Sequence, residues 1–376
     1  MSAKKGLYGA WMTALGIVIL IGLYTTYKLF TVGHVLFNTN DVIIWSLPLG
    51  VYIYLALASS GLTLLSALPL VFGISKYEPF AKRLVFLAIA TLCGAFVSIG
   101  LELGNIFHMF YIMLSPNFSS PIWWMGAIYS LELIVLILKF GLMHKGEWHS
   151  GFSKVLATAS FILALVAPLM IGSIFGITES RVTYFGPVMS IYCLLMAFMS
   201  GTALFLFYSM IMKQLTGNGA PVELYDEITL IFTYVTTIVV GFTLLKFAIE
   251  SATVVPEFLV YHKFEHAFGV FLGLQVEVLL GLFLPCVLLL IPSIRKRVEG
   301  KIVASGMILI GALFMHMEIL LAGQSHPVGP KAEQYPEFIK YSPSSWEFLV
   351  FLFALGVMLL LYSLGERYLR LTEAPE

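Results

Sequence analysis

Apolar residues in this chain fall into ten long runs separated by short polar turns. An α-helix rises 1.5 Å per residue, so about twenty such residues cross the roughly 30 Å hydrocarbon layer of a bilayer. The runs predict membrane-spanning helices at Trp11–Val32, Val42–Gly73, Arg83–Leu114, Ile122–Met143 and Val155–Ile177 in the first half. The second half adds Tyr184–Met212, Ile228–Ser251, Glu265–Pro292, Val303–Ala322 and Trp346–Leu364. Several exceed the minimum, which implies tilt or extension beyond the hydrocarbon. Composition agrees, with 59% of residues apolar and 11% charged, too apolar a surface to keep in water. The expected fold class is an all-α integral membrane protein of about ten helices, one polytopic domain over residues 1–376.

Charge sets the orientation. Of the 21 Lys and Arg residues, fifteen fall at the N-terminus, the C-terminal tail and the even-numbered turns, among them Lys4, Lys5, Lys82, Arg83, Lys145 and Arg295–Arg297. The other six are Lys28, Arg181, Lys246, Lys263, Lys331 and Lys340. This asymmetry predicts a multi-pass protein of the cytoplasmic membrane with both termini cytoplasmic. The formal net charge of zero is thus partitioned by membrane side. It points to the lipid bilayer and to no nucleic-acid partner. Lys4 and Lys5 precede the first run as in a signal peptide, but that run exceeds twenty residues and no small-residue cleavage site follows, so an uncleaved first span is expected. Cys93, Cys193 and Cys286 each stand alone in a separate run, without a C-x-x-C, so no intrinsic iron–sulfur cluster is expected. Two segments lack apolar character. Thr216–Glu227 divides the spans six and four, and Gly323–Ser345, broken by four prolines, reads either as a docking surface or as a plain connector.

Ionisable residues inside spans are costly, roughly 2.5–3.5 kcal/mol on insertion scales, and are functional candidates by default. Glu102 lies nineteen residues beyond Arg83, roughly 28 Å across and near the outer surface. Asn105 follows at i+3 on the same expected helix face and His108 at i+6. Lys246 and Glu250 form an i,i+4 pair read as structural. His266 opens the eighth span from outside, and His316 and Glu318 lie in the outer half of the ninth, followed by Gln324. Glu132 and Glu277 sit near the midplane. His266 and Glu277, eleven residues apart, would stack on one helix face about 16 Å apart. Groups that take and pass protons where water is scarce make Glu132, His266, Glu277, His316 and Glu318 proton-transfer candidates. The same residues can instead fix helix packing through interhelical hydrogen bonds. Tryptophans near span ends, Trp123 among them, suit an interfacial belt or an aromatic cleft for a quinone ring.

The segment LELGNIFHMFYIMLSPNFSSPIWW, residues 101–124, resembles the motif of the NrfD/polysulfide reductase membrane-subunit family, an L-D-L-G-R-P stretch followed by S-P-x-S-S-P. Upstream, WSLPLGVYIYLALASSGLTLL is similar to the entry of that family's second span. Ten spans suit the longer branch, which resembles membrane subunits of sulfite-reduction-associated and hydrogenase-associated complexes. The resemblance implies two four-helix bundles, here about residues 42–178 and 182–322, with flanking spans 11–32 and 346–364. It implies menaquinone or another quinone as substrate and a ferredoxin-like iron–sulfur subunit docked on the extracytoplasmic face, with further cytochrome or catalytic subunits beyond it. The motif acid falls on Glu102, its Arg and Pro on Asn105 and Ile106, and the second basic position on His108. Those departures remove a permanent charge and the guanidinium geometry that goes with it. Oxidation of a quinol releases two protons with two electrons, so a site needs hydrogen-bond partners at the ring oxygens and a base leading to water. Glu102, Asn105, His108 and Trp123 are the quinone-binding candidates.

Two other classes compete. A b-type cytochrome would ligate haem between paired histidines, for which His108, His266 and His316 are placed, although haem is not the favoured expectation. A secondary transporter would show repeats with broken helices, but the Gly and Pro breaks here are not symmetrical.

Overall fold

The computed structural model describes residues 2–103, 107, 110–179, 186–216, 220–252, 270–271, 274–275, 278–324, 333–334 and 341–374. Helices α1 (Ser2–Val32), α2 (Leu47–Leu70), α3 (Glu78–Glu102) and the one-turn α4 (Tyr111–Leu114) are followed by α5 (Pro121–His144), α6 (Gly151–Gly176), α7 (Val188–Thr216) and α8 (Val222–Ala252). After them come α9 (Leu284–Leu290), α10 (Pro292–Arg295), α11 (Val298–Ala322) and α12 (Ser345–Tyr368). Nine helices among the described residues are long and apolar enough to cross a membrane. The chain is a multi-pass, all-α membrane protein.

The ends of the bundle can be told apart by contacts. Trp11 Nε1 in α1 donates to Ser363 Oγ in α12 at 3.0 Å, whereas the backbone N–H of Asn38, just past α1, donates to Glu347 Oε2 at the start of α12. The two helices are therefore antiparallel, and both termini lie at one end. Lys301 at the start of α11 pairs with Asp226 at the start of α8 at 2.6 Å, so these helices rise from that same end. Between them the described residues include the short apolar helix α9, entered through a π turn.

Two spans differ from expectation. The third helix ends at Glu102 rather than running to Leu114: Gly104 follows in the sequence, a residue type that commonly terminates helices, and His34 Nε2 donates to the Leu101 carbonyl, one of the unpaired acceptors of the last turn. The eighth run is not one continuous helix. Val270–Phe271 and Leu274–Gln275 pair as a two-residue antiparallel ribbon, and α9 is entered through a π-helical turn, Leu279–Phe283. In sequence Gly269 precedes the ribbon and Gly273 falls between its strands, and both are poor helix formers. Pro285 has no N–H to give and would crowd the carbonyl four residues back, which a π turn relieves.

Helix α2 is the centre of the molecule, packed against α3, α6, α7, α11 and α12, while α1 is peripheral and leans on α12. Without a hydrophobic drive between helices in lipid, small residues permit the closest approaches. A Cβ on Gly61 would overlap the Ala197 carbonyl oxygen, and one on Gly201 would overlap the Gly61 carbonyl carbon. Gly281 and Gly311 make the same kind of contact between the π turn and α11.

Ion pairs with buried cations tie the end that carries the termini. Arg83 Nε lies 2.7 Å from Glu366 Oε1, joining α3 to α12, and Lys82 reaches Glu373 in the tail at 2.8 Å. The Lys82 contact holds the exposed Glu373 carboxyl below its usual range. Arg83→Met should lower stability by about 3–5 kcal/mol, because it strands Glu366 without its cation. The double variant Arg83→Met with Glu366→Gln should recover most of that loss in thermal unfolding of the detergent-solubilised protein.

Candidate functional site

At the end of the bundle opposite the termini, the last turn of α3 meets the α1–α2 linker, the exit of α11 and the entry to α12. Ser46 is the N-cap of α2, yet its hydroxyl makes no capping bond. It is instead turned to Glu102: the Ser46 amide donates to Oε1 at 3.0 Å, and the hydroxyl lies 2.8 Å from Oε2 and 3.0 Å from Oε1. The half-buried carboxyl thus sits at the positive end of α2, a favourable place for negative charge.

The linker is held by residues far away in sequence. Gln324, at the exit of α11, accepts from the amides of Ile44 and Trp45 at 3.0 and 2.8 Å, and its side-chain amide donates to the Trp45 and Leu320 carbonyls. Glu347 is fully buried. It accepts from the Tyr341 hydroxyl at 2.6 Å and from the Asn38 and Ser344 amides, and forms a capping box with Ser344. The Tyr341 hydroxyl in turn accepts from the Leu47 amide at 2.8 Å. Burial, then the bond to Glu347, raise the Tyr341 hydroxyl well above its ordinary pKa, so it serves here as a neutral donor and acceptor. Three elements therefore fix the loop that presents Ser46 to Glu102.

Beyond Glu102 the chain carries a rim of exposed aromatic residues, Phe107, Phe110, Tyr111 and Phe118. Trp123 packs edge-on against Phe118 and Trp124 with ring centroids 4.9 and 4.8 Å apart, and Trp124 Nε1 donates to the Phe118 carbonyl. A carboxyl with an N–H and a hydroxyl at its side can bind a ring bearing exchangeable O–H groups and take a proton from it, and the exposed aromatic residues that follow it in sequence offer flat apolar surface.

The other candidates are placed unevenly. Asn105, His108, His266 and Glu277 lie outside the described residues. Among the described residues α3 ends at Glu102, three residues before Asn105 in sequence, and the strand residues Val270–Phe271 and Leu274–Gln275 lie between His266 and Glu277 in sequence. Glu132 in α5 is fully buried; Ser60 Oγ donates to its Oε2 at 3.3 Å, and Oε1 has no hydrogen-bond partner among the described residues. His316 in α11 is buried with Nδ1 2.5 Å from the Ala312 carbonyl. That nitrogen carries the proton, leaving Nε2 as an acceptor with no partner among the described residues, and the Tyr54 ring stands 6.0 Å from the imidazole. Glu318, two residues on, projects from a different face. The partners of Glu132 and His316 are separate from those of Glu102. Among the described residues no three His, Cys, Asp or Glu side chains gather to hold a metal ion. Sequence reading missed Ser46, Tyr341 and Glu347. Only Glu347 had a local signal, the Ser-x-x-Glu spacing before an apolar run.

Comparison with known proteins adds to this geometry. The family model "Polysulphide reductase, NrfD" matches residues 34–328, which takes in the Glu102 cluster apart from Tyr341 and Glu347. The chain is 23% identical to the Hdr-like menaquinol oxidoreductase integral membrane subunit of Archaeoglobus fulgidus, over 82% of this chain and 80% of that one. It is 22% identical to a provisionally named membrane subunit of dimethyl sulfoxide reductase from Halobacterium salinarum, over 97% and 92%. It is 21% identical to a subunit of selenate reductase from Mesobacillus selenatarsenatis, over 52% and 55%.

Proposed function

The chain belongs to the polysulphide reductase NrfD family, and from that membership we propose that it is the quinone-reactive membrane subunit of a multi-subunit redox complex. It exchanges electrons between membrane quinol or quinone, menaquinone being the type named for one relative, and an iron–sulfur partner outside the membrane. The observation that carries this reading is the Glu102 carboxyl, seated at the bundle end against the Ser46 amide and hydroxyl. Glu102 and Ser46 hydrogen-bond a quinol hydroxyl, and Glu102 takes its proton as electrons leave. Asn105, His108 and Trp123 complete the quinone-binding set.

The sequence holds three cysteines in all, in three separate helices, so the cluster that receives the electrons belongs to the partner. It is of ferredoxin-like type and docks on the Glu102 end, which faces the extracytoplasmic side; both termini are then in the cytoplasm. A further cytochrome or catalytic protein links that partner to the terminal donor or acceptor. Glu132, His266, Glu277, His316 and Glu318 handle protons. Photo-cross-linkers at Asn117 and Lys331 should capture an iron–sulfur protein in intact cells. Capture of cytoplasmic proteins alone would overturn both the orientation and the docking surface.

A further inference from the structure

The face that α5 buries against its neighbours runs Gly126, Tyr129, Glu132, Val135, Leu136, Lys139 and Met143. A helix buried in this way is ordinarily lined with small or apolar groups. This stripe instead carries every ionisable residue that α5 has except His144 at its last turn. Tyr129 and Glu132 are fully buried and Lys139 is 1% exposed.

None of the three has the partner that its charge would ask for. Among the described residues Glu132 Oε1 and the Tyr129 hydroxyl have no hydrogen-bond partner, Ser60 donates to Oε2 at 3.3 Å, and the Thr63 hydroxyl stands beside the carboxyl. Lys139 Nζ donates to Ser153 Oγ at 2.7 Å and to the carbonyls of Trp148 and Ser153 at 3.2 and 3.3 Å. Those are neutral acceptors at the end that carries the termini, and among the described residues no carboxylate pairs with this lysine. Nor does any described cation approach Glu132 from the helices around it. On α2 the facing groups are Tyr52, Ser60 and Thr63. On α3 the ionisable group at depth is Cys93, while Lys82 and Arg83 are engaged with Glu373 and Glu366 at the far end. Helix α6 has only Lys154, in its first turn, and α7 brings Cys193 and Tyr192. An ionised carboxylate that meets only neutral hydroxyls and no cation among the described residues is not stable in such surroundings, so Glu132 resides as the acid.

We propose that Tyr129, Glu132 and Lys139 form a proton-conducting column along α5, entered beside Tyr52 and leaving past Lys139 at the end that carries the termini. Tyr52 on α2 lies six residues inside Ser46, and its ring stands 6.2 Å from that of Tyr129. From Tyr129 the column descends three residues to Glu132 and seven more to Lys139, about 15 Å in all. The stretch from Glu132 to Lys139, about 10 Å of rise, is a gap that a short chain of waters must bridge, since Lys139 Nζ is turned to Trp148 and Ser153 at the end that carries the termini. In each passage a Lys139 N–H bond breaks first, its proton leaving at the end that carries the termini. The Glu132 O–H bond then breaks and its proton restores the lysine through water, and Glu132 regains a proton from the Tyr129 hydroxyl, which is refilled from the Tyr52 side; every group returns to its starting state and no electrons move along the column. The column's chemistry stands on α2 and α5 alone. Its coupling to turnover rests on the quinone-reactive reading above.

Two measurements on the intact complex test it. Dicyclohexylcarbodiimide, which adds to protonated carboxyls in apolar surroundings, should modify Glu132, as read by peptide mass spectrometry, with the modification absent in Glu132→Gln. In proteoliposomes oxidising a menaquinol analogue, wild type should move more than the one proton per electron that quinol chemistry releases. That excess should vanish in Glu132→Gln and Lys139→Met and persist in Glu132→Asp. A packing role would lower turnover and proton movement together and leave their ratio unchanged. An unmodified Glu132, or an excess that survives both variants, overturns the column. If wild type shows no menaquinol-driven turnover, the quinone reading fails, and carbodiimide modification alone then decides the column.

Discussion

Replacing Glu102 with Gln should lower menaquinol-driven electron transfer by the assembled complex about a hundredfold, the order of a lost general base. The amide keeps a hydrogen-bonding oxygen for Ser46, so helix insertion and the loop that Ser46 closes should survive. It cannot take a proton from a quinol hydroxyl. The loss should therefore appear in kcat more than in KM, at about 2.7 kcal/mol of barrier per hundredfold. Glu102→Asp should retain more activity than Gln, since it keeps the charge and withdraws it by one methylene. Turnover of Glu102→Gln within twofold of wild type, in a complex that still holds its partner, would remove this carboxyl from the chemistry.

A second large effect is expected at the contact between α2 and α7. A methyl group at Gly61 has no room, because it would strike the Ala197 carbonyl, whose carbon would lie only 2.7 Å away. Backbone does not rotate aside as a side chain can, so the helices must separate, and α2 loses packing on several sides at once. Gly61→Val should abolish recovery of monodisperse protein by size-exclusion chromatography in detergent. Gly141→Ala, where a Cβ meets nothing within 4 Å, should leave it unchanged. Equal recovery of the two variants would show that the close approach is not needed.

The helices were legible because run length and charge asymmetry are local properties, and the depth argument put Glu102 at the bundle end where α3 delivers it. Expectation failed where a local chemical event interrupts an apolar run. Pro285 and two glycines break the eighth span, and the polar contacts of Glu102 and Leu101 close the third before its apolar residues end. The staples of the α1–α2 linker were beyond reach for another reason. Gln324 binds Ile44 across 280 residues, Tyr341 meets Leu47 across 294, and Glu347 meets Asn38 across 309. No spacing rule within one helix records such pairs. The column on α5 was half visible: Glu132 stood out by depth, whereas Lys139 was counted with the charges of the cytoplasmic turns and only its burial sets it apart.

That a quinone ring is bound beside Glu102 and Ser46 is tested most directly by photolabelling the membrane-embedded complex with an azido-menaquinone analogue and mapping the modified peptides. Label that menaquinol displaces should fall on peptides spanning Trp45–Gly50 or Ile99–Leu103 and should weaken in Glu102→Gln. Displaceable label found only at the opposite end, on peptides carrying Arg83 or Glu366, would contradict the account.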